Sequence, residues 1–375
     1  MADDSDSQGS PIVASCGTAM NPIENGLIQG CVVDLDVDQA DMCVLTLSNQ
    51  DNHISNEVNL GDDVEVKFQD ASVFKGEVVG LEPAFRVRGA SVCTVRAFNR
   101  MHRLLRGRKT RTFTDKKDSD IAKLLADEAQ LRVEVEDTGT VREHVWQHNQ
   151  TDLELMRILA ARNGFEVVVD GETLYFRKPQ TVPATPIEFR MKDPESASTH
   201  EGQWGGVTQF MPRLSSAGLV SAVEVRAWNP IEKKEIVKRS RDVSSSKLGA
   251  RVAHKNATIF GDKVTFTVDH PVSSPEEAEN LANAKLAEIL MNYIVGDVLA
   301  DGQPAVKPGA VVYININPDK QDDRFNGLYR VIGVSHRYQR SQPGSGGHEG
   351  GGGYTTGLRV MRDAEGGQGN GQGGG

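Results

Sequence analysis

His148, Asp152 and Glu154 stand close enough together to suggest proton transfer, since an imidazole near a carboxylate can be tuned as a general acid or base. The same stretch places Thr151 and Glu154 at the T-x-x-E spacing of a capping box, in which each side chain satisfies a backbone donor left free at a helix start. Carboxylates in a first helical turn are also favoured by the helix dipole, so the spacing predicts a structural role for the cluster. Asp34, Asp36, Asp38 and Asp41 bring calcium to mind, yet no glycine and no later bidentate Glu fall at EF-hand positions, and a strand end with a turn is expected instead. His200-Glu201 and His348-Glu349 lack the second histidine of an H-E-x-x-H zinc site. The run GSGGHEGGGG has neither a following helix nor the lysine of a phosphate-binding loop, and no G-x-S-x-G elbow occurs. Trp146, Trp204 and Trp228 could line a sugar site, but isolated tryptophans in a β-rich chain are expected in the core. No catalytic, cofactor-binding or metal-binding residue is therefore assigned.

One charged stretch remains. Between Arg100 and Arg111 the sequence RMHRLLRGRKTR holds Arg100, Arg103, Arg106, Arg108, Lys109 and Arg111. A cluster of this kind could grip phosphates, but it has no interleaved aromatics and the rest of the chain is acidic. It reads as a partner interface or as a carboxylate-facing loop.

The elements that carry these residues follow from pattern. After Thr151 a helix starts at Asp152, with Leu155, Leu159 and Arg162 on one side and Met156 and Ile158 beside them, and Asn163-Gly164 ends it through a left-handed residue. Phe165, Val167 and Val169 alternate into a strand, Asp170-Gly171 turns the chain, and Leu174 and Phe176 return it. Upstream, Asp118 or Ser119 caps a helix running to Leu131, with Ile121, Leu124, Leu125 and Ala129 inward. Strands are expected at 27–36, 41–48, 62–68, 73–81 and 90–98, separated by turn residues at the spacing of a small antiparallel barrel or sandwich. Beyond a proline-rich joint at 179–194, strands recur at 221–228, 259–268, 309–316, 328–338 and 354–361. Between the first two lies a basic, serine-rich loop, 233–251. A helix with a capping box and a proline at its first position begins at Ser274, its inner stripe being Ala278, Ala282, Leu286, Ile289 and Tyr293. A glycine run at 345–353 reads as a hairpin tip.

Composition bounds the class. A chain of 375 residues has room for two or three domains, and 38% hydrophobic with 25% charged residues is ordinary for a globular protein. A net charge of -10 argues against general affinity for nucleic acid or an anionic membrane surface. Cys16, Cys31, Cys43 and Cys93 show no C-x-x-C spacing, which fits free thiols in a reducing compartment. The opening MADDSDSQGS is acidic where a secretion signal needs a basic start, and no apolar run reaches the length of a membrane span.

The run VWQHNQTDLELMRILAARNGFEVVVDGETLYFRKP (145–179), with HRLLRGRKTRTF (102–113) and DSDIAKLLADEA (118–129) before it, resembles the late control protein D family. These are baseplate hubs of contractile phage tails and of phage-tail-like injection systems, with VgrG-type spike proteins as longer relatives. The resemblance extends over about residues 27–363. It implies an α+β, mainly β fold: a mobile arm at 1–24, a first β-barrel at 25–105, an α/β insertion at 106–180, a second barrel with one long helix at 181–362, and a disordered tail at 363–375. It implies no cofactor and no enzymatic activity. The expected partners are the chain itself as a homotrimer, a separate spike protein, the inner tube or its initiator and other baseplate proteins, with no nucleic acid and no membrane insertion. The protein is expected to be made in the bacterial cytoplasm and to act in an assembled particle. VgrG-type relatives continue into a needle, whereas the resemblance here gives way to a glycine-rich stretch after residue 363, so the spike is expected to be a separate protein.

Two short echoes bear on the paired barrels. Gly61-Asp62-Asp63-Val64-Glu65-Val66 parallels Gly309-Ala310-Val311-Val312-Tyr313-Ile314, and Phe74-Lys75-Gly76 parallels Phe325-Asn326-Gly327. A third, Val95 to Asn99 against Val225 to Asn229, is out of order and is set aside. Patterns this short leave chance and duplication both open. If the barrels are a pair, three chains present six similar surfaces around one axis, enough to join a hexameric tube to a trimeric spike. The other class of function is a cell-wall-active enzyme or glycan-binding module, supported by scattered carboxylates and tryptophans; a monomer that cleaves or binds peptidoglycan would favour it.

Overall fold

Alternation of apolar and polar residues turns most of this chain into strands, because side chains at i and i+2 share a sheet face. The computed structural model describes residues 12–366 apart from 18–19, 180–181, 184, 192–203, 230–232, 242–245, 260, 268–271, 273, 318–319, 321–322 and 341–352. The first half holds β1 (Ile12–Cys16), β2 (Asn21–Pro22), β3 (Ile28–Asp36), β4 (Met42–Ser48), the short helix α1 (His53–Glu57), β5 (Asp63–Phe68), β6 (Ala71–Ala84) and β7 (Val92–Phe98). An α/β insertion follows, with β8 (Lys109–Lys117), α2 (Asp118–Glu128), β9 (Arg132–Val135), β10 (Val141–Gln150), α3 (Asp152–Asn163), β11 (Glu166–Asp170) and β12 (Thr173–Arg177). The last part comprises β13 (Ile187–Met191), β14 (Trp204–Leu214), β15 (Ala222–Asn229), β16 (Lys234–Arg239), β17 (Arg251–Val252), α4 (His254–Ala257), β18 (Val264–Thr267), α5 (Pro275–Met291), β19 (Ile294–Asp301), β20 (Val311–Asn315), β21 (Gly327–Gln339), β22 (Gly353–Arg362) and β23 (Ala364–Glu365).

The two strand-rich halves share one topology. With the six main strands of each half counted in chain order, both sheets run first, fourth, fifth, sixth, third, second: β1-β5-β6-β7-β4-β3 and β13-β20-β21-β22-β19-β14. The likeness extends to register. Both second strands bulge one residue from the same end, between Ile28 and Gly30 and between Val207 and Gln209, and both fifth strands bulge after a buried valine, between Val78 and Gly80 and between Val331 and Gly333. Past that bulge Gly80 faces Arg96, as Gly333 faces Arg359. Gly61 and Gly309 both adopt positive φ (90° and 84°) and both donate their N–H to the strand-five valine, Val78 or Val331, at 2.8 Å. An inserted residue bends a strand and is costly to misplace, so coincident bulges are a stronger sign of duplication than the letters.

One strand differs. β1 lies antiparallel to β5, whereas β13 runs parallel to both β20 and β14 and so closes the second half into a six-stranded barrel. The first half is not closed in this way: β1 pairs β2 on its far side. Inward-facing Ile28, Cys31, Val33, Leu45, Val66, Phe68 and Val95 fill the first half, and Val312, Ile314, Val331, Leu358 and Val360 fill the second, within one continuous apolar core. The insertion keeps its own core around Leu125, Leu155, Leu159 and Phe176.

Several expectations are corrected. Residues 12–16, assigned to a mobile arm, form a buried strand on β5, because Ile12, Ala14 and Cys16 supply an alternating apolar face. Ala364 and Glu365, assigned to the tail, pair with β17. The basic loop 233–251 contains β16, the joint 179–194 contains β13, and β19 follows α5 directly. Helix α2 is capped at Lys117, whose N–H donates to Asp120 at 3.3 Å, and ends at Glu128 instead of Leu131. The long helix α5 starts at Ser274 as expected, but Leu281 and Leu290 join its buried stripe. The Phe74 echo lies on the right strands but two residues out, because the ladders match Phe74 to Gly327.

Candidate interaction site at the junction of the two halves

The residues that suggested acid–base chemistry are spent on structure. Thr151 Oγ1 accepts the Glu154 N–H at 3.1 Å while Glu154 Oε2 accepts the Thr151 N–H at 2.9 Å, and Gly164 closes α3 at φ 67°. Asp152 accepts from Lys109 at 2.7 Å, Arg111 at 3.1 Å and Gln147 at 3.0 Å. His148 follows Gln147 on β10 and therefore points to the opposite, exposed face, where its ring lies tilted against Trp146 with centroids 4.5 Å apart. Asp36 accepts the Asp38 N–H, and Asp41 accepts that of Asp36, as in a strand-end turn. Asp41 is enclosed, and desolvation pushes its pKa up to about 7 against the hydrogen bonds from Asp36 and Asn99 that oppose the rise. Among the described residues, no group of three His, Cys, Asp or Glu could hold a metal ion. His200-Glu201 and the 345–352 part of the glycine run, with His348-Glu349, lie outside the described residues, as does the side chain of Trp204. Trp146 and Trp228, expected in the core, are 61% and 59% exposed on the strands that carry them.

The basic run is where the first half is tied to the insertion. Asn99 caps its first turn, accepting the Met101 N–H. Glu77 of β6 then receives Arg100 Nε at 3.1 Å, Arg103 Nε at 3.1 Å and His102 Nε2 at 3.1 Å. Arg100 also reaches Glu172 on the β11–β12 hairpin at 3.0 Å, and Arg103 donates to the Ala129 carbonyl at 3.0 Å. Arg108 binds Glu154 at 2.9 Å, and Lys109 and Arg111 share Glu128 and Asp152. Five of the six cations thus serve carboxylates of their own chain; Arg106 faces solvent with no ion pair among the described residues. Sequence reasoning supplied the carboxylate-facing alternative but could not say which carboxylates.

Other ties run from the insertion to the second half. Glu166 accepts from Arg330 at 2.8 Å, Asp170 from Lys307 at 2.6 Å, and Arg142 bridges buried Asp118 to Glu277 of α5 at 3.0 Å. Between β5, β6, the β11–β12 hairpin and Lys307 lies a cleft of about 660 Å³ lined by Asp63, Glu65, Lys75, Arg100, Arg132 and Glu172 among others. Its opposed charges pair across it, so it serves as a polar joint.

The two halves also join edge to edge. β3 pairs antiparallel with the second part of β21, from Asp36 opposite Gly333 to Gly30 opposite Gln339. Arg359 crosses this seam to Asp36, and the Phe68 ring stacks on Tyr354 with centroids 4.2 Å apart and planes 2° apart. Buried His336 lies beside them, 2.8 Å from the Tyr354 hydroxyl. Sequence reasoning missed this seam, since nothing local marks which strand of one half meets which strand of the other.

Two β-rich halves of one strand order, the second closed into a barrel, joined along a sheet edge with an α/β insertion wedged against both, have the fold of the baseplate-hub and VgrG-type tail proteins. The 43 kDa tail protein of prophage MuSo2 from Shewanella oneidensis superposes with a TM-score of 0.68 at 14% identity, over 95% of this chain and 99% of that one. A tail protein from Neisseria meningitidis gives 0.68 at 12% identity, over 94% and 97%. An E. coli component of the type VI secretion system, described as structurally similar to T4 bacteriophage tail proteins, gives 0.56 at 13% identity, over 89% and 73%. No curated protein matches the chain in sequence. The chain belongs to the family described as the Alg8 N-terminal domain, whose model matches residues 31–340.

Proposed function

We propose that this chain is the structural hub of a contractile phage-tail-like particle, a homotrimer of pseudo-sixfold symmetry that joins the hexameric inner tube to a separate trimeric spike. The observation that carries the reading is the shared topology with coincident bulges in the two halves, which makes one chain two near-equivalent units. Three such chains offer six similar surfaces to a tube while keeping a three-fold axis for a spike. The units would be the first barrel to about residue 105, the insertion to about 180 and the second barrel beyond it. In this reading the basic run holds the insertion on the first half and leaves Arg106 for partners. On this reading the chain has a structural and not an enzymatic role, supported by candidate acid–base residues that cap a helix and fill ion pairs. It is made in the cytoplasm and works in the assembled particle, with the tube or its initiator on one face and spike and other baseplate proteins around the other.

An obligate ring of this kind should bury on the order of 2,000 Å² or more per interface. Native mass spectrometry of the purified chain at micromolar concentration should therefore give a trimer, and mixing with the particle's spike and tube proteins should give larger complexes. A chain that stays monomeric and binds neither protein refutes the hub.

A further inference from the structure

Among the described residues each half leaves a stretch of sheet edge without a partner, and the two stretches correspond to the two edges that meet in the internal seam. β6 pairs β5 as far as Glu77, with Val78 bonded to Gly61 and Asp62 just beyond, so among the described residues its second part, Val79–Ala84, has β7 on one side and no strand on the other. In β21 the matching stretch, Ile332–Arg337, is the one that takes β3. Likewise β14 pairs β13 only as far as Val207, so that among the described residues Thr208–Leu214 has no strand on that side, where β3, its counterpart, pairs β21. We propose that the open part of β6 docks on the open part of β14 of a second copy of this chain, in the register that repeats the internal seam.

The ladders and bulges define that register. They equate Gly80 with Gly333 and Gln209 with Gly30, so Gly80 falls opposite Ser215, Glu82 opposite Arg213, Ala84 opposite Met211 and Arg86 opposite Gln209. The charges then match. Arg213 has no ion pair among the described residues, and Glu82 lies exposed with only Arg96 at 2.6 Å. Arg96 itself occupies the place of Arg359, which crosses the internal seam. Phe85 and Met211, 65% and 54% exposed, would be covered. Pro83 and Pro212 each remove a donor from its edge, and a proline on an edge can also serve to block pairing. In this register the two gaps meet in one rung; a slip of two residues puts them in separate rungs and takes Glu82 away from Arg213. The two edges are different surfaces, so the contact is head-to-tail and closes into a ring or runs on as a filament.

The inference rests on the ring proposed above, and the test separates the two. In the internal seam the Val37 N–H binds the Ile332 carbonyl and the Arg340 N–H that of Gln29, which makes Val32 opposite Arg337 a non-hydrogen-bonded pair. Such pairs bring Cα atoms to about 4.5 Å, within disulfide reach. Ala84 and Met211 hold that position in the proposed seam, both lie at the surface, and all four native cysteines are buried. Chains carrying Ala84→Cys are mixed with chains carrying Met211→Cys under oxidised glutathione. Linked dimers are expected in the mixture and in neither variant alone, and the double variant should link into a closed trimer. Ala84→Cys mixed with Arg213→Cys, out of register, should not link. An oligomer by native mass spectrometry in which the first pair fails to link, or the second links as well, overturns the seam and leaves the hub standing. A single variant that links to itself overturns the head-to-tail contact, and a monomer at every concentration overturns seam and ring together.

Discussion

Glu77 is the point at which the role of the basic run can be decided. Its carboxylate takes hydrogen bonds from Arg100, His102 and Arg103, with the two arginines 20% and 26% exposed and the acid 11%. Burial works to raise its pKa, but hydrogen bonds from Arg103 and His102 and the charges of Arg103 and Arg100 outweigh it and hold the group below the ordinary glutamate value. Each charge-assisted hydrogen bond would be worth about 1.5–3 kcal/mol if wholly buried; partial hydration of the freed arginines discounts the loss in Glu77→Gln to about 2 kcal/mol in all. With a urea m-value of about 3 kcal/mol/M the transition midpoint falls by roughly 0.7 M. A group whose pKa is depressed by folding stabilises the protein above its unfolded pKa and loses that effect on acidification. The gap between wild type and Glu77→Gln is therefore full at pH 7 and closes as the pH falls below the ordinary value of 4.5. Urea denaturation followed by circular dichroism at pH 7 and pH 4 measures both quantities. An unchanged midpoint at pH 7, or a gap that widens in acid, would show that the cations do not depend on this carboxylate and would return the whole run to a partner surface.

Two further outcomes follow from neighbouring geometry. A Cβ on Gly76 would sit 2.6 Å from the Phe74 ring and nearer still to the Phe98 carbonyl oxygen, so Gly76→Ala should cost about 1–3 kcal/mol or more, whereas Gly80→Ala, whose Cβ meets nothing nearer than 3.8 Å, should stay within about 0.5 kcal/mol; equal losses in thermal melts would contradict the packing. Burial lowers His336 from 6.5 to about 4, so its folded form holds a proton less tightly than the unfolded chain. Its contribution is complete above pH 6.5 and is lost as the pH falls towards 4, at about 1.4 kcal/mol per unit, and a His336→Gln chain whose stability falls just as steeply over that interval would refute the assignment.

The chain's local order was legible from its letters. The capping box at Thr151, the glycine stop at Gly164 and the proline-led helix at Ser274 depend on residues three or four positions apart, and strand alternation on residues two apart, so they can be read in sequence. The matched glycines Gly61 and Gly309 were visible too, because a positive φ before a strand constrains residue type directly. Tertiary structure alone decided the partners of the basic run, the exposure of Trp146 and Trp228, and the strand from residues 12–16 that completes the first sheet. It alone paired β3 with β21. Arg103 meets Glu77 across 26 positions, Arg142 meets Glu277 across 135 and Arg359 meets Asp36 across 323. Such contacts are set by which sheet edges and faces are left open once the local elements have formed, and no spacing along the chain encodes that choice.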